Sequence, residues 1–238
     1  MDEKIPTFPT LGKIEDFPIN PQLLYFAGAM RDGTLPLPYD AHYEISVGQK
    51  NKDWLEKIIR PIMVETLGIK EAKIRLKIDK NTPRLVVYSK DVFGRLARVL
   101  THPTGSSCWK TPPICRSHPE LQKWYLRGFF DAEGEVPHVE GFLDGTFSTK
   151  PRLRIRIHQA WNKKNGCPVL EDLAQMCSNF GIKIVGIYGP KRNVNTFDFD
   201  LAISGRDALL QFYRQIGTSH PDKKKRFSLL FNLYGIRP

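Results

Sequence analysis

Leu126-Arg127-Gly128-Phe129-Phe130-Asp131-Ala132-Glu133-Gly134 is an apolar run with small residues inside it, then an acid, then glycine. Tyr25-Phe26-Ala27-Gly28-Ala29-Met30-Arg31-Asp32-Gly33 follows the same plan. The two acids, Asp32 and Glu133, stand roughly 100 residues apart, so the chain reads as two copies of one unit before any element is assigned.

The echo continues downstream. The runs 42–49 and 152–159 are strand-like, and both end in glutamine, Gln49 and Gln159. Helical patterns follow at 54–67 and 169–180, each stopped by a Gly-Ile-Lys, at Gly68-Ile69-Lys70 and Gly181-Ile182-Lys183. Two strands come next in each half, 73–80 with 84–89 and 183–188 with 196–204. In the last of these Phe197, Phe199, Leu201 and Ile203 alternate, as a strand with one buried face requires. A final helix closes each unit, at 91–100 and 207–216. Each half therefore reads helix–strand–strand–helix–strand–strand–helix, an α+β class. Chance similarity between two α+β halves does not account for so many elements recurring in one order.

The first repeat spans 21–100 and the second 120–238, the latter ending in a basic C-terminal segment. Residues 101–119 hold Pro103, Gly105, Pro112, Pro113 and Pro119 and read as a linker. Residues 1–20 carry Pro6, Pro9 and Pro18 and read as an extended N-terminal arm. With 238 residues, 41% of them hydrophobic and 11% aromatic, there is ample material for a packed core, which excludes a disordered or collagen-like chain. Cys108, Cys115, Cys167 and Cys177 form no C-x-x-C and read as free thiols in a reducing compartment. Met1 to Pro6 shows neither an apolar h-region nor an Arg-rich amphipathic pattern. The expectation is an intracellular protein of the cytoplasm or nucleoid, without signal or transit peptide. No window approaches ~18 apolar residues, so no membrane span is expected.

The net charge is +11, which favours a polyanionic partner. In Arg152-Leu153-Arg154-Ile155-Arg156-Ile157-His158 the cations and the apolar residues alternate. Lys73-Ile74-Arg75-Leu76-Lys77-Ile78 repeats that arrangement in the first half. A solvated strand face explains one such strand. Two, taken as equivalent repeat positions, point to a sheet surface facing DNA, with Lys73, Arg75, Lys77, Arg84, Arg152, Arg154, Arg156, His158 and Lys183 as contacts. Lys223-Lys224-Lys225-Arg226 reads either as a phosphate contact or as a solvated terminal patch. None of the histidines falls in a metal spacing such as H-E-x-x-H, and neither a Gly-rich phosphate loop nor a nucleophile elbow occurs.

Asp32 and Glu133 each close an apolar helix, just before a glycine read as its cap. A carboxylate at a helix C-terminus is disfavoured by a few tenths to ~1 kcal/mol. One such acid is as well explained by a turn. Two at matching positions suggest that the acids meet, on helices thinned by Ala27, Gly28, Gly128 and Ala132. Carboxylates in close contact need a compensating cation, and hard oxygen ligands suit Mg²⁺.

This doubled motif, with its repeat, resembles the LAGLIDADG homing endonucleases, specifically the single-chain type with two motifs. The resemblance covers roughly residues 20–235. The second copy matches well. The first departs at Ala27, Met30 and Arg31, changes that touch the helix interface rather than the metal carboxylate. The resemblance implies two pseudo-symmetric αββαββα units packed through their motif helices, each with a saddle-forming antiparallel sheet. It implies metal ligation by Asp32 and Glu133, helped by the backbone carbonyls of Arg31 and Ala132. It implies catalytic polar residues at Gln49 and Lys50, and at Gln159 with Lys163 or Lys164. Mg²⁺ is the expected cofactor, with Mn²⁺ as a substitute and Ca²⁺ as a ligand that does not support cleavage. The expected activity is hydrolysis of both strands of a long asymmetric DNA site by an intron-encoded monomer that binds no membrane. Two other readings stay open: an intron RNA maturase of the same fold, and a DNA-binding regulator without chemistry.

Overall fold

The computed structural model describes residues 16–36, 43–101, 109–193 and 195–238. His42, His102, Pro103, Gly105, Cys108 and most of the N-terminal arm lie outside them. The chain divides into two compact units, Met1–Ala132 and Glu133–Pro238.

In the first unit α1 (Pro21–Ala29) starts where Asn20 accepts the Leu23 N–H on its side chain at 2.9 Å and Pro21 fills the first turn. Leu23 to Ala29 are all buried and only Gln22 is exposed, so α1 is a core helix beyond its first turn. A 3₁₀ turn, Met30–Asp32, leads into β1 (Gly33–Thr34). Next come β2 (Glu44–Gly48) and a helical run in three parts: α2 (Lys52–Trp54), a π-helical turn (Leu55–Ile59) and α3 (Arg60–Glu65). β3 (Arg75–Asp79), β4 (Thr82–Tyr88) and α4 (Lys90–Leu100) complete the repeat. The antiparallel sheet has the order β1-β2-β4-β3. Its inner face is Ile45, Val47, Leu85 and Val87, all fully buried.

The stretch read as a linker holds α5 (Ile114–Ser117), and Trp109 and Cys115 within it are fully buried. α6 (Gln122–Glu133), the second motif helix, follows, and all of it but Glu133 packs with the first unit.

The second unit repeats the plan with β5 (Gly134–Glu135), α7 (Glu140–Leu143), β6 (Arg154–Trp161), α8 (Pro168–Asn179), β7 (Gly186–Arg192), β8 (Phe197–Ser204) and α9 (Arg206–Gln215). Its sheet order, β5-β6-β8-β7, is the order of the first. Phe199, Leu201 and Ile203 are buried, as their alternation predicts. A further helix, α10 (Pro221–Leu233), lies beyond the repeat and packs on α9 through Phe212, Tyr213, Phe227 and Phe231. Gly68 and Gly181 take positive φ, +67° and +70°, as helix stops. No helix among the described residues is long and apolar enough to cross a membrane.

Several expectations need correction. Gly33 is extended (φ −100°, ψ 172°): it caps the 3₁₀ turn through its N–H on the Met30 carbonyl and also begins β1, and Gly134 begins β5. Lys73 lies in a 3₁₀ turn and Lys183 in the connection before β7, so neither is a strand residue. The basic run of α10 is not all solvated, since Lys223 is buried on the inner side of its helix. The two cationic strands also do not occupy equivalent places. β6 sits inside its sheet and corresponds to β2, whereas β3 is an edge strand and corresponds to β7. Being at an edge, β3 leaves Ile78 75% exposed and has no clean buried face.

His220, just before α10, is 5% exposed. Burial, helped by the charges of Lys223 and Arg226 and opposed by Asp222, pushes its pKa down to about 4. The unfolded chain takes up this proton near 6.5, the folded chain only near 4. Stability therefore falls as pH drops through that window and levels off below it. The expected loss approaches about 3 kcal/mol. Urea melts at pH 7 and pH 4.5 measure it, and His220→Gln should flatten the difference.

Candidate functional site

The two motif helices meet backbone to backbone. A Cβ on Gly28 would come within 2.3 Å of the Tyr125 carbonyl oxygen and 2.6 Å of the Phe129 nitrogen. One on Gly128 would come within 2.0 Å of the Tyr25 carbonyl oxygen. The two glycines are not at the same motif position: Gly28 is fourth in its copy and Gly128 third. The departure at Ala27 is thus matched by a glycine one place later.

Side chains then tie the helices together. The Tyr25 hydroxyl donates to Asp131 at 2.6 Å and accepts from Trp54 Nε1–H at 2.7 Å. All three residues are buried. Arg127 stacks on Trp124, 4.6 Å from its ring centre. Burial lowers the Arg127 pKa, with Asp131 and Tyr25 acting in the opposite direction. Neither Trp54 nor Asp131 is marked as a partner of Tyr25 in the sequence; an aromatic donor 29 residues from Tyr25 leaves no local signal. Tyr25→Phe removes one donor and one acceptor from this buried chain and is expected to cost about 1–3 kcal/mol, measured by thermal or urea melts.

Asp32 ends the 3₁₀ turn after α1, and Glu133 is the last residue of α6. Gln49 donates its Nε2–H to Asp32 Oδ2 at 2.9 Å. Its own Oε1 accepts the Lys50 backbone N–H at 2.8 Å. Lys50 is exposed. Gln159 is fully buried on the inner face of β6 and donates to the Ala160 carbonyl at 2.6 Å. Strand register makes the two glutamines counterparts: Gly33 pairs with Val47, two before Gln49, and Gly134 with Ile157, two before Gln159. By the same count Ala160 stands where the first half has Lys50, and Lys163 lies three residues further on. Arg31 is 9% exposed in the turn before Asp32, and Ala132 precedes Glu133 in α6. Among the described residues no group of three or more His, Cys, Asp or Glu side chains gathers around one point.

The outer faces of the sheets carry most of the other expected residues. In the first, Arg75 and Lys77 of β3 lie beside Val86 and Arg84 of β4. Arg84 donates to Thr34 and Ser46 and bonds Asp79 at 3.2 Å. Lys77 donates to the Tyr88 hydroxyl, which donates to Glu44. In the second, burial alternates along β6, so Arg154, Arg156 and His158 share the half-exposed outer face, with Arg152 just before the strand. That face is less cationic than β6 alone implies. Asp200 pairs with His158 and Asp198 with Ala160, which adds two carboxylates from β8, and Glu135 of β5 lies opposite Arg156. His158 Nδ1 is 3.1 Å from Asp200 Oδ1.

Residues 120–217 match the family model of the LAGLIDADG-like domain. No curated protein matches the sequence. Among solved structures, the chain is similar to I-DmoI in complex with DNA and Mn, with 21% identity over 84% of this chain and 98% of that one and a TM-score of 0.57. I-DmoI with DNA and Ca gives 18% identity, 87% and 97% coverage and a TM-score of 0.58. The homing endonuclease I-WcaI bound to its DNA recognition sequence gives 18% identity, 87% and 85% coverage and a TM-score of 0.56. Two antiparallel four-stranded sheets with their helices thus form the two-domain LAGLIDADG homing endonuclease fold.

Proposed function

We propose that this chain, with its LAGLIDADG-like domain at 120–217 and the homing endonuclease fold over both halves, is a site-specific endonuclease of double-stranded DNA. The observation that carries the reading is the Gln49–Asp32 bond at a helix-to-strand exit, with a second acid and glutamine in the matching register of the other half. Similar folds solved with DNA, and with Mn or Ca, support the choice of partner and of a divalent ion.

The donor set fits a hard divalent cation. Such an ion takes one or two protein carboxylates and fills its remaining sites with water and phosphate. Asp32 and Glu133 would hold it, with Arg31 and Ala132 offering backbone carbonyls; Mg²⁺ is our choice, with Mn²⁺ as substitute. When bound, the ion supplies Lewis-acid charge at phosphorus and a more acidic water. Gln49 fixes the Asp32 carboxylate by donating to one oxygen. Lys50, exposed beside it, offers a cation to phosphate, and Lys163 is proposed for the second half. Arg75, Lys77, Arg154 and Arg156 present cations from the outer faces, so affinity should drop steeply with added salt.

The test is Mg²⁺-dependent cleavage of a randomised duplex library, with the products sequenced. One cut site per enriched sequence supports the reading. Duplex binding without cleavage in Mg²⁺ or Mn²⁺ would instead favour a regulator, and selective binding of structured RNA a maturase.

A further inference from the structure

Strand register sets different residues level with the two acids. In the first sheet, extending the β1–β2 register by one residue sets Asp32 level with Gly48, and Gly48 pairs with Arg84. In the second, the same step sets Glu133 level with His158, and His158 pairs with Asp200. Gly48 with Arg84 and His158 with Asp200 therefore hold the same two places in equivalent sheets. The Asp32–Gln49 bond supports the extension, since it fixes Asp32 at that end of β2.

The groups reach these places from opposite strands. Gly48 has no side chain, and Arg84 lies across it: a Cβ on Gly48 would come 3.0 Å from Arg84 Cγ. The guanidinium so arrives over β2 at Ser46, 3.0 Å away, and at Thr34, two residues beyond Asp32. In the second half the polar group comes from β6 itself. Asp200 holds Nδ1 of His158 at 3.1 Å, while Nε2 is 3.8 Å from Asp198, beyond hydrogen-bond range. The imidazole is 44% exposed. A carboxylate on one ring nitrogen fixes the ring and its tautomer and leaves the other nitrogen for a second partner. The Arg84 guanidinium gives Nη2 to Thr34 and Ser46 and one Nη1 hydrogen to Asp79, so its second Nη1 hydrogen suits a single phosphate oxygen, and an imidazole suits one oxygen or a water.

We propose that Arg84 and His158 are counterpart catalytic groups, each serving the DNA strand handled by its own half, with Asp200 as the positioning residue of His158. The inference rests on the endonuclease reading above. Both halves make the same bond changes: a water oxygen bonds to phosphorus and gives up a proton to solvent, while the bond from phosphorus to the 3′ oxygen breaks and that oxygen takes up a proton from solvent. Arg84 holds one non-bridging oxygen of its phosphate through Nη1. His158, through Nε2, orients the water that attacks the other. The two strands are hydrolysed by unlike machinery, so a substitution in one half slows one strand.

Single-turnover cleavage of a duplex carrying a different dye on each strand reads both rates at once. His158→Ala should slow one strand by roughly tenfold to a hundredfold and change the other by less than about threefold. Arg84→Ala should slow the opposite strand to a similar extent, with partial recovery in Arg84→Lys. Asp200→Asn should slow the same strand as His158→Ala, and less severely, while duplex affinity stays near wild type. Equal slowing of both strands by each variant, or no slowing by any, overturns the proposal and leaves the endonuclease reading standing. A wild-type protein that binds duplex and cuts neither strand overturns both.

Discussion

Asp32→Asn should reduce cleavage by roughly a thousandfold or more, about 4 kcal/mol of transition-state stabilisation, with specific duplex binding kept. The exchange is nearly isosteric, so the Gln49 amide still finds an oxygen near its 2.9 Å partner. What disappears is the charge that holds a cation. Glu133→Gln should behave alike, because it ends the other motif helix at the matching register. Cleavage in Mg²⁺ and binding in Ca²⁺ measure the two effects separately. If both variants cut at wild-type rates, the metal assignment is wrong. If both lose binding as well, the acids are structural.

Gly128→Ala should instead unsettle the whole molecule. Its Cβ would sit 2.0 Å from the Tyr25 carbonyl oxygen, 2.9 Å from its carbon and 3.0 Å from the Ala29 nitrogen. These are backbone atoms, so no rotamer change relieves the clash; the helices must move apart. Overpacking of this kind costs about 3 kcal/mol or more. Alanine regains up to ~1 kcal/mol of helix propensity, so a net loss of about 2 kcal/mol is the minimum expected. For a chain of this size the melting temperature should fall by roughly 4–8 °C. Gly128→Val should fall further, to the point of poor expression. Binding and cleavage then fail together, which separates this variant from Asp32→Asn.

Much of this arrangement was legible because it is periodic. The alternation of Phe197, Phe199, Leu201 and Ile203, the Gly68 and Gly181 stops and the acid-before-glycine pairs all leave local marks. Features that depend on strand order left none. Nothing in Lys73 to Ile78 says that its strand is an edge, so its cations were matched to those of β6. Asp198 and Asp200 alternate with the same phenylalanines that marked β8, yet only pairing with β6 brings them onto the face of Arg154 and Arg156. The two-residue strands β1 and β5 are too short for any pattern, so nothing local showed that Gly33 and Gly134 begin strands. Gln49 as a site residue followed from family resemblance, but its bond to Asp32 and the Tyr25–Asp131 contact followed from nothing in the sequence.

The offset glycines have a consequence for ancestry and for engineering. A protein built by duplicating the first half would set Ala27 where Gly128 now stands, with a methyl group driven into a backbone carbonyl. Duplicating the second would put the Phe129 ring in the space that Gly28 leaves open. Neither half can be its own partner at this crossing. If the chain arose from a symmetric dimer by gene fusion, its halves have since diverged past the point of return, and chimaeras should exchange the two motif helices only as a matched pair.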